Sequence, residues 1–269
     1  MGKGITRHIR LFALCLSTAI CWPSSPSHAA VDRDKMLSDP GVFATFAVFQ
    51  VDSGWWRVPK GGRLAAAKET KAILAKHADK VIVDAYLLRG LTDGADLLLR
   101  LHGKELADNQ RLLMDLMAST WGRSLVTVHT WNGFTRKPNY VPGMPEAIKN
   151  ALKSATEPGP KTYAIVIPIA KDTAWWQSAK ETRGALMKEH TEAALPFVRA
   201  VSRKLYHASG LSNVDFVTYF ETNRLDELQS LVLALGRAKE STHNRAWGPL
   251  LLGTIHPVDD VLAALLVGR

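Results

Sequence analysis

The order of predicted elements repeats once along the chain, and this repeat limits the possible folds more than any other feature. Alternating apolar residues and helical spacing predict β-α-β-β-α-β between residues 41 and 131, and the same order returns between 163 and 255. Each unit is a ferredoxin-like split β-α-β arrangement, with four antiparallel strands and helices on one face. Two such sheets facing one another would form an α+β barrel within one chain.

The predicted elements divide the chain into two halves joined by a linker. In the first half, strands are predicted at 41–49, 81–88, 96–101 and 125–131, and helices at 63–76 and 105–119. In the second half, strands are predicted at 163–169, 201–207, 215–220 and 250–255, and helices at 178–194 and 225–240. Five prolines between residues 136 and 161 indicate a linker with one short helix near 146–153. The halves are therefore predicted at 30–135 and 162–269.

The first 29 residues have the three-part pattern of a secretory signal peptide. A basic start is followed by an apolar run at 11–22, and the small residues Ser27 and Ala29 precede the predicted cut. The alternative is an N-terminal membrane anchor, but the run is shorter than the roughly 20 residues that span a bilayer. We therefore expect Sec export to the periplasm, cleavage after Ala29 and a mature protein without a membrane segment.

Removal of this leader changes which chemistry the chain can perform. The formal charge of +9 falls to +6 with loss of the leader's three basic residues, which suits small anions as well as nucleic acid. Cys15 and Cys21 both lie in the leader. The mature chain then has no disulfide, zinc finger, iron–sulfur cluster or cysteine nucleophile.

Most sequence motifs that identify an active site are missing, but His190 and Arg203 form a possible site. The chain has no dinucleotide-binding fingerprint, P-loop, His-Glu-x-x-His motif or nucleophile elbow. His190 lies on the stripe of the predicted helix 178–194 that should face the sheet, and Arg203 lies on the next strand. A buried arginine requires an anion nearby, so the pair suggests an anionic ligand or a metal-bound anion. Alternation alone does not decide whether Arg203 or Lys204 points inward.

The second half resembles the chlorite dismutase family of haem b proteins. The matching stretches are YAIVIPIAKDTAWW at 163–176, EHT at 189–191, SRKLYHASGL at 202–211, DFVTYFET at 215–222, AKE at 238–240 and LGTIH at 252–256. The first half matches more loosely, through PGVF at 40–43 and YLLRGL at 86–91. The resemblance implies the duplicated fold of the dimeric α+β barrel superfamily and a haem b enzyme that converts chlorite to chloride and dioxygen. It also implies that the chain forms a homopentamer. The expected ligand is a small anionic substrate, chlorite, and not nucleic acid.

The resemblance also implies roles for particular residues. His190 resembles the axial ligand of the haem iron, and Arg203 the catalytic arginine on the opposite side. Glu240 resembles the carboxylate that accepts a hydrogen bond from the proximal imidazole. Tyr140 and Trp175 match positions that line the haem edge and propionates.

Two further tryptophans match aromatic positions near the haem. These are Trp176 and Trp247, although each also fits a core or subunit contact. The segment 241–246 departs from the family pattern, and the loop after it is one residue short. The match of Trp247 is therefore the weaker of the two.

The sequence is also compatible with three alternative functions. Coproheme decarboxylases share the superfamily but are generally cytoplasmic and have glutamine in place of Arg203. Gly90-Leu-Thr-Asp-Gly94 fits the Gly-x-x-Asp-Gly pattern of dye-decolorising peroxidases, although an Asp-Gly pair is ordinary in a turn. A non-enzymatic periplasmic haem-binding protein would retain His190 but would not need Arg203.

Overall fold

The computed structural model describes residues 30–38, 40–136 and 161–268. The strands in these ranges are β1 Phe43–Val51, β2 Val81–Leu87, β3 Leu97–Gly103, β4 Leu125–Phe134, β5 Tyr163–Lys171, β6 Val201–His207, β7 Phe216–Thr222, β8 Asn244–Trp247 and β9 Leu251–Ile255. The α-helices are α1 Arg33–Ser38, α2 Lys60–Lys76, α3 Leu106–Ala118, α4 Thr173–Gln177, α5 Lys180–Ala194, α6 Leu225–Arg237 and α7 Val258–Leu262. Short 3-10 turns lie at Ser53–Arg57, Gly122–Ser124, Leu195–Phe197 and Lys239–His243, and a π-helical turn at Ala263–Val267 continues α7.

The strands form one closed antiparallel barrel made of two similar sheets. The first sheet has the order β4-β1-β3-β2 and the second has the order β9-β5-β7-β6, so both follow the ferredoxin-like order. Pairing of β2 with β9 and of β4 with β6 joins the sheets. The α+β fold predicted from the repeat is confirmed, and both halves have the predicted strand order.

Alternation along the strands separates a barrel interior from two outer layers. One face of each sheet contributes to the interior, where Phe46, Leu98, Val166 and Tyr206 belong to one apolar cluster. The other faces pack against helices in two further clusters, one in each half. The helices therefore lie outside the barrel, and a side chain on a strand faces either the interior or the helix layer.

The barrel interior also contains a buried ionic network that links strands to the N-terminal helix. Asp84 on β2 accepts a hydrogen bond from Arg100 on β3, with 2.7 Å between Oδ2 and Nη2. Its other oxygen lies 2.8 Å from Nη2 of Arg33 in α1. The Arg100 guanidinium lies 4.0 Å from the centre of the Tyr219 ring on β7. Because Arg100 is fully buried, this network connects the two halves in a place that water does not reach.

The observed element boundaries correct one site-related prediction and add several elements. The helix predicted at 225–240 ends at Arg237, so Glu240 lies in the following 3-10 turn and not on the helix. The helix predicted at 178–194 ends as expected, since Pro196 follows it. Elements not predicted include α1, α4, β8 and the C-terminal segment, defined as residues 258–267. Among the described residues, no helix is long and apolar enough to cross a membrane.

Three predictions fall wholly or mostly outside the described residues. They are the leader at 1–29, the linker at 136–161 with its short helix, and Tyr140. The division of the chain at these boundaries stays a prediction.

Candidate functional site

His190 is held in one orientation by Glu240. It lies near the end of α5, and its Nδ1 is 2.9 Å from Oε2 of Glu240. Because a carboxylate only accepts hydrogen bonds, Nδ1–H is the donor, and Nε2 keeps its lone pair. Burial, together with the charges of Arg203 and Lys171, lowers the pKa of His190 to about 4. At neutral pH this residue therefore presents an uncharged imidazole with a free nitrogen.

Glu240 is itself fixed by a lysine that the sequence did not reveal. Glu240 is buried in the turn that follows α6, and Lys171 at the end of β5 forms an ion pair with its Oε1. The Lys171 ammonium also donates to Oδ1 of Asn244 at 2.7 Å and lies 4.5 Å from the centre of the Trp175 ring. Burial lowers the pKa of Lys171 to about 8. Glu240 thus accepts from an imidazole on one oxygen and a lysine on the other.

The sequence contained one signal for Lys171. It has the same alternation as Ile165, Ile167 and Ile169, which pack in the helix layer of the C-terminal half. A lysine at the end of a buried strand is usually solvated, so its burial could not be read from its position alone.

Arg203, and not Lys204, faces the histidine. Val201 packs in the helix layer, and Arg203 is the next residue on that face of β6, whereas Lys204 and Tyr206 face the barrel interior. Burial lowers the pKa of Arg203 to about 10, and its charge is among the causes of the low His190 pKa. No residue in the described ranges forms a hydrogen bond or an ion pair with Arg203. Two half-buried groups, an imidazole and a guanidinium, therefore lie on the same side of this sheet, near enough for the charge of Arg203 to lower the pKa of His190.

Trp175 lies beside the Glu240–Lys171 pair. It belongs to α4, whose first turn is capped by Asp172: the Trp175 backbone N–H donates to Oδ1 at 2.7 Å. Its ring is buried and lies 5.7 Å from that of His243, which itself contacts Asp172. Trp175 is therefore held beside Lys171, the residue that pairs with Glu240. Its role at the haem edge and propionates stays a prediction.

The other aromatic candidates are arranged differently. Trp176 is 47% exposed and stacks on Phe216, with 6.2 Å between the ring centres. Trp247 on β8 is 45% exposed. Tyr140 lies outside the described residues. The structure thus brings together four of the predicted residues, namely His190, Glu240, Arg203 and Trp175, and it leaves Trp247 at the surface.

Asp93 of the peroxidase-like motif does not join this group. It is exposed in the turn between β2 and β3, where Gly90 and Gly94 have φ values of 84° and 67°. Positive φ favours glycine, so the motif is explained by the turn.

The donor set fits a prosthetic group better than a bare metal ion. Within the described ranges, no group of three or more His, Cys, Asp and Glu side chains could hold a metal ion. A single imidazole with a carboxylate partner is the usual arrangement for an axial ligand of a bound iron cofactor. Arg203, which has no hydrogen-bond or ion-pair partner in the part of the chain that the structure describes, supplies a positive charge for an anion beside it.

The comparisons with known proteins agree on one family. The family model described as Chlorite dismutase matches residues 63–256. A curated relative, the chlorite dismutase of Ideonella dechloratans, is 37% identical over 245 residues, covering 89% of this chain and 85% of its own length. The structure of the chlorite dismutase of Candidatus Nitrospira defluvii in complex with imidazole is 47% identical in sequence and has a TM-score of 0.82. The match covers 88% of this chain and 100% of that chain.

A more distant structure shares the fold alone. A heme-binding protein from Thermus thermophilus is 18% identical with a TM-score of 0.71, over 85% of this chain and 96% of its own. The family match over most of the chain, together with relatives well above 30% identity, is decisive: this chain belongs to the chlorite dismutase family.

Proposed function

We propose that this chain is a haem b enzyme that converts chlorite to chloride and dioxygen. The observation that carries the proposal is the arrangement of His190 and Arg203. An imidazole oriented by Glu240 lies on the same side of the sheet as a guanidinium that has no hydrogen-bond or ion-pair partner among the described residues, and the charge of this guanidinium lowers the pKa of the imidazole. This pair suits an iron cofactor with an anionic substrate, and the relatives named above are chlorite dismutases.

The residues fit a haem in a defined way. His190 would ligate the iron through Nε2, since Nδ1 is engaged by Glu240. Trp175 would pack at the haem edge, and Tyr140 would contribute at the propionates. When bound, the haem supplies the iron at which a Cl–O bond of chlorite breaks and the O–O bond of dioxygen forms.

His190, Glu240 and Lys171 set the proximal charge. The Nδ1 proton stays on the imidazole and is shared with the carboxylate, which makes Nε2 a stronger donor. Lys171 neutralises part of the Glu240 charge and keeps that carboxylate in place. The three residues therefore fix both the direction and the basicity of the proposed ligand.

Arg203 acts on the substrate side. It would bind the chlorite anion and would hold the anionic chlorine–oxygen fragment near the place where the O–O bond forms and chloride leaves. The overall change is balanced, since one chlorite gives one chloride and one dioxygen with no proton taken up. Arginine suits this task because it stays protonated at neutral pH and donates in a fixed fork. It holds the anion and does not act as a base.

The location and the assembly of the chain are further inferences, supported by the sequence pattern and by the family resemblance. We infer that the leader at 1–29 directs export to the periplasm and that the mature chain forms a homopentamer. The signal-like pattern supports the first inference, and the family resemblance supports the second. A pentameric mass by light scattering is the expected result, whereas a monomer or dimer would contradict the proposed assembly.

One experiment tests the activity directly. Purified protein is loaded with haem, its visible spectrum is recorded, and chlorite is added in an oxygen electrode. Equal amounts of dioxygen and chloride are expected, each matching the chlorite consumed. A chain fully loaded with haem that evolves no dioxygen would instead be a haem-binding protein without this activity.

A further inference from the structure

The two halves repeat a local motif just before their first long helix. Asp52 precedes Trp55 and Trp56 at the same spacing at which Asp172 precedes Trp175 and Trp176. Each aspartate accepts a 2.7 Å hydrogen bond from a backbone N–H of the turn that follows it. The helices α2 and α5 then begin at the same distance from these aspartates. The chain therefore contains two copies of the wall beside the proposed haem site.

Each key residue of the proposed site has a counterpart in the N-terminal half. Thr70 occupies in α2 the position that His190 occupies in α5, counted from the first residue of each helix. Val83 is the third residue of β2, as Arg203 is the third of β6. Trp121 follows the end of α3 at the distance at which Glu240 follows α6. The imidazole, guanidinium and carboxylate are thus replaced by Thr, Val and Trp.

These counterparts line an apolar layer without a ligand function. Thr70 and Trp121 are fully buried, and neither the Thr70 hydroxyl nor the Trp121 indole N–H has a hydrogen-bond partner among the described residues. Val83 packs against the same apolar cluster as Trp121. None of these three side chains carries a charge, so none of them provides a ligand for iron or a partner for an anion.

The C-terminal segment lies in this same layer. It packs against α2 on one side and β2 on the other, which are the counterparts of the elements that carry His190 and Arg203. The Trp55 indole N–H donates to the Leu266 carbonyl oxygen at 3.2 Å. Five residues of the C-terminal segment are buried in the apolar cluster of the N-terminal half, namely Val261, Leu262, Leu265, Leu266 and Val267.

We propose that the N-terminal half contains a second cavity built on the plan of the His190–Arg203 site, and that the C-terminal segment is its resident occupant. The lining of this cavity selects an uncharged, apolar occupant, since Thr70, Val83 and Trp121 replace the polar groups. If the segment is removed, the space that its buried apolar side chains leave should accept an apolar ring compound that fits this space. The inference rests on the proposed function only for the nature of the equivalent site, because the packing of the segment is independent of haem.

The test removes the segment and counts a bound dye. A chain ending at Pro257 is loaded with haem at the His190 site, so that the dye cannot enter there. The probe is N-phenyl-1-naphthylamine, an apolar aromatic dye that is uncharged at neutral pH, counted by equilibrium dialysis. We expect one additional dye molecule per chain relative to the full-length protein, and displacement of that dye by a synthetic peptide of residues 258–269.

A folded truncated chain that binds no additional dye would overturn the proposal, as would dye that the peptide does not displace. Haem content is followed separately by Soret absorbance. Absence of haem from the full-length chain counts against the proposed function, whereas absence of new dye binding counts against the second cavity. The two failures are therefore distinguishable.

A full-length variant decides the matter if the truncated chain does not fold. Leu265→Ala with Leu266→Ala removes two fully buried side chains of the segment while keeping the chain length. The matched control is Leu233→Ala with Leu250→Ala, which removes two exposed leucines. The buried pair should release the segment to limited proteolysis several-fold faster than the control and increase dye binding. Equal proteolysis and equal dye binding in the two variants would refute the proposal.

Discussion

The side chains of Arg203 and Lys204, which are adjacent in β6, point to opposite faces of the same sheet. Arg203 shares the helix layer with His190, whereas Lys204 is buried in the barrel interior, where its ammonium donates to the Leu37 carbonyl oxygen. Burial and the charge of Arg100 lower the pKa of Lys204 to about 7; Asp84 acts against this shift and Arg33 adds to it. One strand therefore places one cation at the proposed active site and another inside the barrel.

Lys204 should make stability depend on pH above neutrality. Its ordinary pKa is 10.5, so between about pH 7 and 10.5 the unfolded chain binds a proton that the folded chain does not. The contribution of Lys204 to the free energy of unfolding therefore rises with pH across this range and is lost as pH falls toward 7. Lys204→Met should reduce this rise, measured as urea midpoints at pH 7 and pH 9, and the part that remains includes the contribution of Lys171, whose pKa is lowered to about 8.

Neighbouring groups do not reproduce this effect. Burial lowers the pKa of His102 from its ordinary 6.5 to well below that value and raises that of Tyr206 from 10.0 to about 12, so both groups change protonation mainly outside the range from pH 7 to pH 9 used in the measurement. Lys188→Met, at a position 69% exposed, is the matched control and should leave the pH dependence intact. The same pH dependence in Lys204→Met as in the unmodified chain would show that Lys204 is not the titrating group.

The pattern of alternation predicted β6 at 201–207 but not which face carries the site. Both faces of this strand carry a cation, and periodicity is symmetric with respect to the two faces. The choice depends on tertiary contacts, namely His190 on one side and the Leu37 carbonyl on the other. The resemblance supplied the role of Arg203, and the packing supplies its physical reason.

Two other features of the structure could not be predicted from the sequence, and the reasons differ. Lys171 is buried where Glu240, from a distant turn, pairs with it, and the alternation along β5 gives the face of this lysine but not its partner. The C-terminal segment was not predicted, because it is short and its apolar residues do not indicate the element that they pack against. Its partner is the helix layer of the other half of the chain.

Processing of the leader gives a direct prediction. Protein recovered from the periplasmic fraction should begin at residue 30, as measured by intact mass, because the small residues Ser27 and Ala29 fit the peptidase. Ala29→Phe should block this cut and leave the longer chain. A mature protein that retains Met1 would contradict the predicted leader.

His190→Ala should abolish most haem binding. The imidazole is the only protein ligand proposed for the iron, and the remaining contacts are packing against the porphyrin. Haem content per chain, measured by the pyridine haemochrome method, should fall sharply. His256→Ala, at an exposed position, is the control and should retain haem. Full loading of His190→Ala with an unchanged spectrum would remove His190 from the site.

Glu240→Ala should keep haem but raise the ferric/ferrous potential. Loss of the hydrogen bond at Nδ1 makes the imidazole less anionic, so it stabilises Fe(III) less. Spectroelectrochemical titration measures the change. Glu189→Ala is the matched control, because this 41% exposed neighbour accepts from the Lys239 backbone and not from His190. An unaltered potential in Glu240→Ala would show that the carboxylate does not tune the ligand.

Arg203 decides between chlorite conversion and simple haem binding. Arg203→Gln should still bind haem and break the first Cl–O bond, since that step depends chiefly on the iron and His190. Loss of one charge-assisted contact to an anion costs roughly 1.5–3 kcal/mol, so turnover should fall about ten- to a hundredfold. Arg199→Gln removes an exposed arginine just before β6 and should have no such effect.

The products of the Arg203 variants give the sharper test. If the guanidinium retains the chlorine–oxygen fragment, Arg203→Gln should release more hypochlorite, measured with a chlorine trap, and its haem should bleach after fewer turnovers. Arg203→Lys should restore only part of this retention, because a point charge on a flexible stem lacks the planar fork of donors. Oxygen yield, hypochlorite release and haem lifetime in Arg203→Gln that all match the unmodified enzyme would mean that Arg203 does not hold the anion. Because no described residue pairs with Arg203, its partial burial would then have no explanation in the proposed reaction.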